Sequence, residues 1–96
     1  MAVSFATQIL PLFRPIDIEH MRDYGVALDD YAWMSDPAGG SLGNCPNNFA
    51  DHAHGRGVYG YLTGDCQPRM PPDAGGRWDR TRLALYQQWM DDGFAP

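Results

Sequence analysis

The sequence predicts an all-α fold, a small bundle of four or five short helices joined by long loops. Three observations point there. Apolar residues recur at helical spacing near both ends of the chain. Ser, Asp and Asn stand where helix starts need caps. No pair of stretches alternates with the two-residue rhythm of strands. The chain has 96 residues, the length of one domain, 1–96. With 44% of them hydrophobic, it can build one modest core, burying roughly 60–65% of the unfolded surface.

The elements follow in order. Ser4 is an N-cap for a first helix whose Phe5, Ile9, Leu12 and Phe13 share one face. Pro11 removes a hydrogen bond inside it, so this helix is short or kinked. A second turn runs from Ile16 to Tyr24 and ends at Gly25. Asp29 or Asp30 caps a third piece, Tyr31 to Met34. A loop rich in Gly, Pro, Ser and Asn covers 35–46.

Asn47 or Asn48 opens a longer helix to Thr63, with Phe49, Ala53, Val58, Tyr61 and Leu62 on its apolar side and Gly64 as its stop. Gly55, Gly57 and Gly60 each weaken it by about 1 kcal/mol relative to Ala. They fit either close approach by a ligand or backbone, or a tolerated irregular helix. A second loop carries Met70-Pro71-Pro72. The last helix starts at Asp79, with Trp78 and Leu83 as a hydrophobic staple. Leu83, Tyr86 and Met90 share a face that Leu85 and Trp89 extend. Gly93 and Phe94 then fit a Schellman ending closed against Trp89.

Charge excludes some partners. Seven basic residues, all Arg, face twelve acidic ones, giving a net charge of −5. An acidic chain without a basic stripe does not bind nucleic acid or an anionic membrane surface. No apolar run reaches the length of a membrane span. The segment from Met1 to Phe13 has neither the basic start nor the cleavage site of a signal peptide, which places the protein in the cytoplasm. There Cys45 and Cys66 read as two free thiols. In an oxidising compartment, a disulfide between them would contribute ~3 kcal/mol.

Both ends of the chain resemble bacterial cytochrome c domains. Near the start, Phe5, Ile9, Pro11, Leu12 and Phe13 look like the helix that precedes the haem-attachment site. Near the end, Met70-Pro71-Pro72, a Gly-rich turn, a helix with a Trp and an acidic-Gly ending look like that family's C-terminal segment. In this frame the Cys-x-x-Cys-His motif falls on Ile16, Asp17, Ile18, Glu19 and His20, of which only His20 survives. The resemblance therefore implies a degenerate, haem-free cytochrome c-like domain without a cofactor. His20 and Met70 match axial-ligand types, but Ile16 and Glu19 form no thioethers, and Glu19 would set a carboxylate against an apolar macrocycle. The middle of the chain carries no such likeness.

Other constellations are weaker. Cys45, His52, His54 and Cys66 match no paired zinc-ligand spacing, and on a helix His52 and His54 point roughly 200° apart. No metal site is expected. Nucleophile and phosphate-loop motifs are missing. Acid–base chemistry remains, because an imidazole exchanges protons near neutral pH. The resemblance turns His20 toward a ligand cavity that the Met-Pro-Pro loop closes. His52 and Tyr59 lie on the central helix that would border it. These three are the expected catalytic residues, with a surface position for His20 as the rival reading. Trp33, Phe49, Tyr61, Met70 and Trp89 are the expected substrate-binding residues, unless they simply fill the core.

In size and in lacking a cofactor motif, the chain is also similar to small stand-alone cyclases of polyketide–tetramate macrolactam pathways, of the alchivemycin type. That similarity implies a lyase or cyclase of secondary metabolism. Such an enzyme would couple dehydration to Michael-type macrocyclisation of a largely apolar, polyketide-like metabolite. The alternative is a noncatalytic small-molecule-binding or accessory protein on the same degenerate fold.

Overall fold

A computed structural model describes residues 2–40, 42, 49, 51–67, 69–71 and 74–96. Among them every regular element is helical. Four α-helices, α1 (Pro15–Arg22), α2 (Tyr31–Met34), α3 (Ala53–Thr63) and α4 (Arg80–Asp91), are joined by loops, with a π turn and two 3-10 turns between or before them. This is the small all-α fold with long loops that the sequence predicts.

The N-terminal segment shows what Pro11 does. Ser4 caps it, its hydroxyl accepting from Thr7 N–H. The chain then winds as a π turn over Phe5–Ile9 and tightens to a 3-10 turn over Leu10–Leu12. Pro11 has no N–H to give, and its ring crowds the carbonyl four residues back, so the regular α ladder cannot run through it. The apolar face survives the irregularity: Phe5, Ile9 and Phe13 are buried.

Pro15 starts α1 at the first helical position, where its missing N–H costs nothing. Asp30 caps α2, accepting from Ala32 and Trp33 N–H. The start of α3 differs from expectation. It begins at Ala53, because His52 has φ 51° and a left-handed residue cannot be continued upstream as helix. Asn47 and Asn48 lie outside the described residues. Phe49 is half-buried and outside the helix.

The glycines of α3 serve close packing between protein elements. A Cβ at Gly55 would lie 2.7 Å from the Met34 carbonyl oxygen and 2.8 Å from the Phe94 ring. The Gly55 carbonyl in turn accepts from the buried Tyr86 hydroxyl at 2.7 Å. Burial pushes that hydroxyl's pKa well above its ordinary value, so it remains a donor. Gly55 is thus where α2, α3 and α4 meet. Gly55→Ala is expected to lower stability by about 1–3 kcal/mol, as overpacking does, read as a lower midpoint in urea unfolding. A variant as stable as wild type would show that this contact yields easily.

α4 ends as predicted. Gly93 N–H bonds to Met90 O, and Phe94 N–H to Trp89 O, the two bonds of a Schellman motif. The Phe94 ring meets Trp89 edge-on at 5.0 Å between centroids. This ending ties the two ends of the chain together. Phe5 N–H bonds to Ala95 O, Ser4 Oγ to Pro96 O, and Val3 N–H to the Asp92 carboxylate. The Val3 bond, with Gln88, holds the Asp92 carboxyl below the usual carboxylate range. The N-terminal turn and the C-terminal closure are therefore in contact.

The cysteines correct an expectation. Cys66 is fully buried and disulfide-bonded, and Cys45 is the sole other cysteine in the sequence. The turn after α3 seats Cys66: Gly64 takes a left-handed conformation and Cys66 N–H reaches Gly60 O. No described helix is long and apolar enough to cross a membrane.

Candidate functional site

Two places bring chemistry-bearing side chains together. The first is the start of α3. Asp51 Oδ1 receives His52 Nδ1 at 2.9 Å and Arg56 Nη2 at 3.1 Å. The His52 hydrogen bond, then that of Arg56, holds the Asp51 carboxyl below the usual carboxylate range. An ionised carboxylate only accepts, so Nδ1 of His52 carries a proton, and in the neutral form of the ring Nε2 would present its lone pair. The His52 ring lies flat on the Phe94 ring, 4.1 Å between centroids and 4° between planes. Arg56 sits 5.3 Å from the same ring. His52 and Phe94 are also the two described non-glycine residues with positive φ, 51° and 58°. Backbone held in sparsely populated conformations clusters at functional sites.

The second place is a small crevice under the Met70–Pro71 loop, with about 10 Å³ of room, enough for about one water. Phe13, Met21, Leu28, Leu62 and Trp78 wall it, and Asp17 stands at its edge. Asp17 is held by Arg14 through two bonds, 2.7 and 3.0 Å. Met70 and Pro71 line the crevice, and His20 does not. It is far smaller than the roughly 300–1,000 Å³ of usual small-molecule sites, so it holds no metabolite as it stands.

The expected site residues are dispersed. His20 is exposed on α1, its ring 5.4 Å from that of exposed Tyr24. It does not line the cleft; α1 offers Asp17 and Met21 there instead. Tyr59 is half-buried against Tyr86 and lies two turns beyond His52, about 10 Å along the helix axis. The expected trio of His20, His52 and Tyr59 does not converge.

Of the binding residues, Met70 lines the cleft. Trp33 stacks on His54 at 4.0 Å, and His54 Nδ1 donates to the Trp33 carbonyl. Phe49 and Tyr61 are half-buried. Trp89 is fully buried between Phe5, Tyr86 and Phe94, so it belongs to the core and has no surface to offer a ligand.

Sequence reasoning missed Arg56 and Phe94 beside His52. Arg56 was legible in principle, since it stands one helical turn after His52 and on the same face. Phe94 carried no local signal, because only the fold brings it there.

These residues do not fit haem. His20 faces solvent, Ile16 is 67% exposed and Glu19 is exposed, so the attachment positions and Met70 do not share a cavity. Nor do Cys45, His52, His54 and Cys66 remain a ligand set. Cys66 is spent in a disulfide, and the Nδ1 atoms of the two histidines serve different partners. Cys45 lies outside the described residues.

The chain matches no protein-family model, no curated protein and no solved structure.

Proposed function

We propose that this chain is a small, haem-free acid–base enzyme whose base is His52. The single observation behind the proposal is the 2.9 Å contact between Asp51 Oδ1 and His52 Nδ1. A carboxylate that fixes one nitrogen of an imidazole leaves the other as a directed proton acceptor. Proton transfer of this kind contributes ~10²–10⁴-fold. That suffices for substrates already activated by a carbonyl, as in dehydration or conjugate addition. The weak similarity to macrolactam cyclases supports the same class, with an apolar, polyketide-like metabolite as substrate. Buried Phe94 supports the His52 ring from beneath. His20 and Tyr59 take no part in this version of the site.

A second reading is a noncatalytic binding protein on a degenerate cytochrome c-like fold, for which the apolar lining of the small crevice under Met70 is the one observation. For either reading, the buried disulfide at Cys66 supports an oxidising compartment rather than the cytoplasm.

The test uses the β-hydroxy ketone whose dehydration gives benzylideneacetone, followed by the rise of enone absorbance. Wild type is expected to accelerate it. His52→Gln should lower the rate at least about tenfold, or ~1.4 kcal/mol of transition-state stabilisation, with an unchanged circular dichroism spectrum. Equal rates for His52→Gln and wild type would remove His52 from the chemistry and favour the binding reading.

A further inference from the structure

We infer that Arg56 is the oxyanion-holding residue of the same site, and that its substrates are compounds with an enolisable or conjugated carbonyl. This rests on the reading of His52 as the base. His52 and Arg56 hang on one oxygen, Asp51 Oδ1. The nitrogens that meet there therefore lie no farther apart than the two bonds laid end to end. Arg56 spends Nε on the Asp51 carbonyl and carboxylate, and Nη2 on the carboxylate. Among the described residues Nη1 has no partner. The guanidinium is thus anchored along one edge and presents donors on the other, which preorganises it for a developing negative charge. Phe94 is buried and packs against both His52 and Arg56, so it fixes the two side chains from below.

A carbonyl compound placed here meets a base and a cation together. The α-proton passes to His52 Nε2. The C–H electron pair moves into the enolate, and its oxygen is held by Arg56. In dehydration the β-hydroxyl then leaves with that proton as water, and the enolate electrons form the new double bond. In conjugate addition the enolate carbon instead bonds to the β-carbon of a conjugated carbonyl. The proton returns to the α-carbon of that acceptor. Both routes balance without an oxidant or reductant. His52 handles the proton and Arg56 handles the charge, so neither residue substitutes for the other.

Benzoate, a planar anion with an apolar ring, is a stable stand-in for the enolate. Titrated into the full chain at constant ionic strength, it is expected to shift the Arg56 Nε–H and His52 Cε1–H resonances. Benzyl alcohol should leave both nearly unmoved. Arg56→Gln should weaken benzoate binding at least about tenfold, Arg56→Lys less, and His52→Gln little. Unmoved Arg56 resonances, equal shifts with benzyl alcohol, or Arg56→Gln binding like wild type would each overturn the inference. Benzoate binding that depends on Arg56, together with a His52→Gln variant as active as wild type, would support the anion site while removing His52 as its base.

Discussion

Trp89→Ala is expected to cost about 3–5 kcal/mol. A domain of this length has roughly 5–15 kcal/mol in all, so the variant should be largely unfolded or close to it. The size of the loss follows from position. Trp89 is fully buried and lies against the rings of Phe5, Tyr86 and Phe94 at 5.4, 5.3 and 5.0 Å. It joins the N-terminal turn, the inner face of α4 and the C-terminal closure. Its indole N–H also donates to Ala95 O at 2.8 Å. That carbonyl accepts Phe5 N–H as well, so it keeps one partner when the indole is lost. Packing rather than the hydrogen bond should therefore carry most of the cost. Trp89→Phe isolates the two terms and should lose much less than Trp89→Ala. Urea unfolding followed by far-ultraviolet circular dichroism measures both. If Trp89→Ala melts within a degree or two of wild type, the aromatic cluster does not hold the ends together.

Local rules were enough for most of the helices. Ser4, Asp30 and Asp79 act as caps through hydrogen bonds to nearby N–H groups, and Gly93 ends α4 through φ 97°. These are properties of a few adjacent residues, which sequence spacing displays directly. The start of α3 was not legible in the same way. Asn47 and Asn48 look like caps, yet His52 adopts φ 51° and starts the helix later. Its ring is held there by Phe94, 42 positions away in the sequence. Tertiary contact overrode local propensity.

The site was less legible than the fold for the same reason. His52 was a candidate by residue type, and its neighbour Asp51 is adjacent in sequence. Their partnership with Phe94 depends on how α4 ends. His20 shows the opposite failure. The alignment to an attachment motif turned it inward, but α1 sets its Asp17 and Met21 side against the crevice and leaves Ile16 and His20 in water, with Tyr24 exposed in the turn after it. Ile16 and His20 stand four residues apart on one helical stripe.

Without reductant, denatured protein is expected to show no reactive thiol, and after reduction both cysteines should react. Cys66 is disulfide-bonded, and its one possible partner within the chain, Cys45, stands 21 positions before it. On a chain-entropy model, a cross-link of that span contributes ~3 kcal/mol by restricting the unfolded ensemble. The Cys45→Ala, Cys66→Ala double variant should lose about that much, a large share of the stability of so small a domain. Cys66→Ala alone should do no better, because it removes the bond and leaves a thiol elsewhere. Burial adds a kinetic expectation. Exchange begins with attack by a thiolate on a disulfide sulfur, and Cys66 is 0% exposed. Reduction of the native protein should therefore wait for local opening and accelerate sharply with sub-denaturing urea. Two thiols reacting in denaturant before any reductant is added would mean that the chain carries no disulfide. The argument for an oxidising compartment would then fall, and the cytoplasmic expectation from the sequence would stand in its place.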